Sequence, residues 1–202
     1  MQNISSSIRY RVSQFISAVN ANFLGFKKQH AKIHLYKERI HLILSTKEQQ
    51  SLFQRMPQND QYHAISVFET LINANYDNIE LLQAALLHDV GKTIGIPISY
   101  RVLIVLLNAV LPKLYRSLSE KPAIDALSSP SSQCIYASIY NVNAFRRPFV
   151  VYRYHAFISA CLAQEQGLSD RVINFIAKHH DIFLNHQEDT LLSALQWADQ
   201  LN

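Results

Sequence analysis

The chain has 202 residues, of which 49% are hydrophobic and 17% charged, enough for one domain with a buried core. Only four glycines and six prolines punctuate it, which argues against a many-turned β-sandwich and for helices. The net charge of +4 is uneven: residues 1–62 carry nine Lys/Arg against three Asp/Glu, and the other 140 carry ten against twelve. The N-terminal part is therefore basic, but no base-reading motif accompanies it.

In chain order, helical spacing is visible over residues 5–24 and 34–56, with Ile33, Leu35, Ile40, Leu42, Ile43 and Leu44 apolar. Pro57-Gln58-Asn59-Asp60 reads as a turn and N-cap. A helix to about Ala74 then places His63, Val67 and Leu71 on one face. Asn78 is expected to cap a helix over Ile79–Val90. That helix is apolar nearly all round and so should be central, with Gly91 suited to a C′ position. A helix is expected at 100–118. Its apolar run Val102–Leu111 is about half of what a bilayer span needs, so a buried or interfacial helix is expected. The stretch "DALSSPSSQ" reads as a flexible loop, and "CIYASIY" as a helix or a short strand. Arg146-Arg147-Pro148 should begin a stiff segment to Tyr154. Helices are then expected from about His155 to Gly167, from a cap at Ser169 to about His180, and from Asp189 onward with Leu191, Leu192, Leu195 and Trp197. Cys134 and Cys161 show no C-x-x-C spacing and Cys161 should be a core residue. No signal-peptide pattern opens the chain, and a cytoplasmic location is expected.

Seven residues stand out: His63, His88, Asp89, His155, His179, His180 and Asp199. Each lies on or at the end of an expected apolar helix. Burying several imidazoles and carboxylates without partners costs several kcal/mol each, roughly, and metal coordination removes that cost. Asp89 and Asp199 are both expected near helix C-termini, where the macrodipole disfavours a carboxylate by about 0.3–1 kcal/mol and a cation reverses the sign. Neighbouring residues on a helix point about 100° apart. His88 and Asp89 can therefore converge on one ion only near a helix end, which is where they are expected.

"HDVGK" at His88–Lys92 resembles the signature of the HD-domain superfamily of metal-dependent phosphohydrolases. The order of residues is also similar, with His63 on the preceding helix, later His155 and His179/His180, and Asp199 after an alanine. The resemblance covers about residues 58–93 and 148–202. It implies an all-α helical bundle with a metal site in its interior, residues 1–57 forming a basic helical extension and 58–202 the HD domain, with an insert at about 94–150. It further implies that His63, His88, Asp89 and Asp199 hold one metal, and that Asp89 bridges to a second held by His155 and His179 or His180. The later histidines favour two ions, and the ligand types suit Fe, Mn, Zn, Ni or Co. Asp89 and Lys92 are the implied catalytic residues, Lys92 also holding a phosphate oxygen. Arg146 and Arg147 are candidate phosphate contacts, because guanidinium forks suit phosphate.

The implied activity is hydrolysis of a nucleotide or dinucleotide phosphoester or phosphoanhydride by a metal-bound hydroxide. The alternative is a non-catalytic metal- and nucleotide-binding sensor or scaffold. The expected partner is a phosphate-containing small molecule, a nucleotide first of all. The basic N-terminus and residues 102–111 are candidate surfaces for a weak membrane or protein contact. Lys92 and His155 are 63 positions apart, longer than in small dinucleotide-polyphosphate-cleaving members. The Gly-Tyr-Pro of cyclic-dinucleotide phosphodiesterases is absent after His180-Asp181, so the resemblance does not choose the substrate.

Overall fold

The computed structural model describes residues 26–94, 96–121, 137–181 and 189–202. They form an all-α bundle, and no strand occurs among them. The expected helix at 5–24, the loop at 125–133 and Cys134 lie outside the described residues.

Helix α1 spans Phe26–Ile43 and α2 spans Lys47–Gln54. The expected single helix over 34–56 is split because Thr46 takes an extended conformation and its hydroxyl accepts the Gln49 N–H at 3.2 Å, an N-cap. Helix α3, Gln58–Asn73, starts directly after Pro57, which puts Asp60 inside the first turn rather than at the cap. Just past its C-cap the chain turns away at Asn75, whose φ of 64° suits asparagine, with Tyr76 N–H returning to Leu71 O at 3.0 Å. Helix α4, Ile79–Leu87, is capped by Asn78, whose side chain accepts the Leu81 N–H at 2.9 Å.

After α4 a 3-10 turn spans Val90–Ile94, followed by α5 (Ile98–Val110) and α6 (Pro112–Ser119). The expected 100–118 helix breaks at Leu111 because Pro112 lacks an N–H and suits only a first turn. Helix α7 spans Arg147–Glu165. It starts well before the expected His155, since Pro148 sits in its first turn, where a missing N–H costs nothing. The stiff segment expected up to Tyr154 is thus helix. Gly167, with φ 69°, closes α7. Helices α8 (Asp170–Lys178) and α9 (Thr190–Leu201) are capped by Ser169 and Asp189 as expected.

Helix α4 is the hub. Leu81, Leu82 and Ala84 through Leu87 are buried, and α3, α8 and α9 pack around them. Helix α7 lies along α8 and the 3-10 turn, and α6 packs on α7. Ile40, Leu44, Leu52, Phe53 and Met56 join the same buried cluster as α3 and α4. Lys32 also pairs with Glu69 of α3 at 2.6 Å. The boundary expected at residue 57 therefore does not mark a break in the core. Cys161 is buried as expected, and burial pushes its thiol pKa up to about 11. No helix among the described residues is long and apolar enough to cross a membrane.

Candidate metal centre

Helix α4 ends at Leu87, three residues before the expected Val90, with His88 as its C-cap. The last carbonyls of a helix have no intrahelical partner. One of them, Ala85 O, accepts the Nδ1–H of His88 at 2.9 Å. The same device recurs where α8 ends: His179 is the C-cap and its Nδ1 meets Ile176 O at 2.6 Å. Within α7, His155 Nδ1 meets Tyr152 O at 2.6 Å. A ring nitrogen that donates to a carbonyl leaves its partner nitrogen with a free lone pair. In all three residues that nitrogen is Nε2, and all three Nε2 atoms face Asp89.

The carboxylate of Asp89, 2% exposed, sits between two groups of ligand atoms. On one side its Oδ2 lies 3.8 Å from His63 Nε2 and 3.6 Å from His88 Nε2. Asp199 Oδ1 completes that group, 2.9 Å from His63 Nε2 and 3.3 Å from His88 Nε2. On the other side Asp89 Oδ1 lies 3.3 Å from His155 Nε2 and 3.9 Å from His179 Nε2. His180 joins this second group, with its Nε2 3.0 Å from His155 Nε2. Three sets have ligand atoms mutually within 4.8 Å: His63-His88-Asp199, His88-Asp89-His179, and His155-His179-His180. Both His179 and His180 are brought to the cluster.

Three atoms at the centre, His88 Nε2, Asp89 Oδ1 and His179 Nε2, are buried without a hydrogen-bond partner among the described residues. Leaving such atoms unpaired costs about 1–3 kcal/mol each, and a shared cation would satisfy them together. The protonation states of His179, His180 and the two carboxylates agree with this, whereas burial would lower the His88 pKa but Asp89 and Asp199 raise it. Burial, with His88 and His180 close by, pushes the His179 pKa down to about 2. Burial and the neighbouring His155 bring His180 to about 4. Burial would raise Asp89, but Lys92 and His88 hold it well below the usual carboxylate range. Asp199 is likewise held low against burial by His63 and His88. Neutral imidazoles and ionised carboxylates are the forms that bind metal. The C-terminal ends of α4 and α8 both meet at the cluster, and their dipoles also favour a cation. The residues present therefore fit a metal ion.

No protein-family model, no curated protein and no solved structure matches this chain. The candidate centre therefore rests on its own geometry.

Gly91 explains how the pieces meet. It was expected to turn the chain at a C′ position, but it lies within the 3-10 turn, and positive φ is not what it provides. It provides closeness. A Cβ built there would lie 2.4 Å from His155 O and 2.9 Å from the backbone N and the Oγ of Ser159. The Gly91 N–H donates to Ser159 Oγ at 2.8 Å, locking the His88-Asp89 segment onto the helix that carries His155. Ser159→Ala should strand that buried N–H and cost about 1–3 kcal/mol, measured as a lowered denaturation midpoint; an unchanged midpoint would mean that the lock does not hold the turn.

Lys92 lies beside the cluster, with Nζ 2.5 Å from Asp89 Oδ2. Arg146 and Arg147 do not take the phosphate-facing place considered for them. Arg146 donates to the carbonyls of Ser117, Leu118 and Glu120, clasping the end of α6. Arg147 donates to Tyr140 O and Val142 O and stacks over the Tyr140 ring. Guanidinium forks suit carbonyls at a helix end as well as phosphate, and the sequence pattern alone does not separate the two.

Two further residues lie beside the centre. Arg101 of α5 forks onto Asp60 of α3, with Nη2 2.7 Å from Oδ2 and Nη1 on Oδ1. Asp60 reads in the sequence as a turn residue, yet it precedes His63 by three positions and so shares its helix face. Arg101 is the one charged residue of α5, a signal that could have drawn notice.

Proposed function

We propose that this chain is a metal-dependent phosphohydrolase of the HD type, acting on a nucleotide or dinucleotide phosphoester or phosphoanhydride. One observation carries the reading: Asp89 stands between two His-rich groups, with buried unpaired ligand atoms at their junction. Two divalent ions fit such a division, one held by His63, His88, Asp89 and Asp199, the other by Asp89, His155, His179 and His180. When bound, such ions supply a water nucleophile at neutral pH and neutralise charge on a phosphoryl group.

The protein's own groups complete the site. Asp89 stays ionised and shared. The backbone carbonyls hold His88, His155 and His179 with Nε2 inward. His63 and Asp199 are partly exposed and His180 is exposed, so a substrate can approach from that side while His88 and His179 form the buried floor. Lys92 is the cation beside the bridging carboxylate and would hold a phosphoryl oxygen.

The deciding experiment is a screen of nucleotides, dinucleoside polyphosphates and cyclic dinucleotides with Mn²⁺, Fe²⁺ and Ni²⁺, reading phosphate release and product identity. Metal-dependent release from one class is expected. Metal retained with no turnover of any class would favour the sensor or scaffold reading. Lys92→Ala should keep its metal and lose about 10–100-fold in kcat/KM, the worth of one charge-assisted hydrogen bond; unchanged kinetics would remove Lys92 from the substrate contacts.

A further inference from the structure

The insert expected at 94–150 brings Arg101 toward the centre, and its surroundings are unusual for a structural ion pair. Arg101 is a lone charge on a strongly apolar helix, and long charged side chains are seldom drawn into such surroundings unless paired. Its partner Asp60 is 4% exposed and sits one helical turn before His63. The pairing uses the Nη1 and Nη2 ends of the guanidinium. Arginine has five donors in a planar fork. The Nε–H is buried and has no hydrogen-bond partner among the described residues, so the second edge of the fork is unfilled by them.

The same neighbourhood contains Lys92. Asp89 and Tyr152 lie within electrostatic reach of Arg101, and Asp89, Asp60 and Tyr152 within reach of Lys92. Two cations from different elements, the 3-10 turn and α5, therefore lie beside the same carboxylates, Lys92 on Asp89 and Arg101 on Asp60 one turn before His63. Each is aligned by a carboxylate, Lys92 by Asp89 and Arg101 by Asp60. A single phosphoryl group at the metals needs only the nearer cation. A second cation with an unfilled donor edge matches a second phosphoryl group on the same ligand.

We infer that Arg101, aligned by Asp60, is a second anion contact of this site, which is thereby suited to substrates with two or more linked phosphoryl groups over monophosphates. This rests on the phosphohydrolase reading above. Asp60 is a positioning residue, acting through Arg101.

The test is calorimetric titration of Mn²⁺-loaded full-length protein with orthophosphate and with methylenediphosphonate, a non-hydrolysable pair of linked phosphoryl groups, with metal content measured after each titration. Arg101→Gln should weaken methylenediphosphonate binding by about 10-fold or more, the range of a charge-assisted contact. Orthophosphate binding should stay within about twofold and the metal content should not change. Arg101→Lys keeps a charge for Asp60 and so keeps α5 anchored. It should still lose most of the preference, because it lacks the planar fork. A folded Arg101→Lys protein with wild-type preference for methylenediphosphonate overturns the inference. So does an equal weakening of both anions in Arg101→Gln, the pattern of a purely structural pair. Wild-type protein that retains Mn²⁺ yet binds neither anion overturns the phosphate reading itself and this inference with it.

Discussion

Asp89→Asn is expected to give a folded protein that no longer retains a transition metal. Asparagine keeps the shape but not the charge, and this one carboxylate lies within 3.3–3.9 Å of four imidazole nitrogens. Removing even an outer partner of a metal ligand commonly costs 10–100-fold in affinity, so loss of a shared anionic ligand should exceed about 100-fold. The measurement is metal per chain after reconstitution with Mn²⁺, Fe²⁺ or Ni²⁺ and desalting, paired with the denaturation midpoint with and without metal. Wild-type protein should gain about 2.7 kcal/mol at a metal concentration 100 times Kd, and the variant almost nothing. Equal metal content in the two proteins would show that Asp89 is not a ligand.

Gly91→Ala should be the most damaging small substitution outside the ligands. The added methyl would lie 2.4 Å from the backbone oxygen of His155 and 2.9 Å from the backbone nitrogen of Ser159. Neither is the movable end of a side chain, so the 3-10 turn must separate from α7. Overpacking of this kind typically costs 1–3 kcal/mol, occasionally more, and a backbone clash belongs at the upper end. About 3 kcal/mol corresponds to a midpoint lowered by roughly 6–12 °C in a chain of this length. Metal retention should fall as well, because the turn follows directly on His88-Asp89 and α7 carries His155. A variant as stable as wild type would mean that the close approach is not maintained in solution.

The helices were legible where local chemistry speaks for itself. Asn78, Ser169 and Asp189 announce helix starts, and their side chains do accept the first-turn N–H groups. The buried face of α4 was legible for the same reason, since its apolar residues run nearly unbroken. The breaks were harder. Thr46 and Pro112 divide stretches whose apolar spacing continues across them, because spacing reports the core face and not the continuity of the backbone. Gly91 reads locally as a C′ residue, whereas its role depends on Ser159, 68 residues away, and no local pattern shows that contact.

The candidate centre follows the same division. His88-Asp89 and the later histidines were visible as residue types at helix ends. The pairing of His63 with Asp199 bridges 136 positions and could be placed only by similarity of order. The nearness of both His179 and His180 to the cluster depends on where α8 ends: with Lys178 as the last helical residue, the two rings are free to point at different neighbours. Arg146 and Arg147 show the converse, that a basic pair is consumed by carbonyls wherever a helix end lies nearby.

The bonds from His88, His155 and His179 to Ala85 O, Tyr152 O and Ile176 O have a consequence for how this protein can vary. In many metal sites the orienting partner is a carboxylate side chain, and losing that residue loosens the ligand. Here the orienting partner is main chain three residues upstream in each case. No point substitution deletes it short of a proline or a disrupted helix. Residues 85, 152 and 176 can therefore change identity while the three rings keep their tautomer and aim. A substitution scan through them should report packing losses with little effect on the ligands, and the region around the centre is free to diverge in sequence faster than its geometry does.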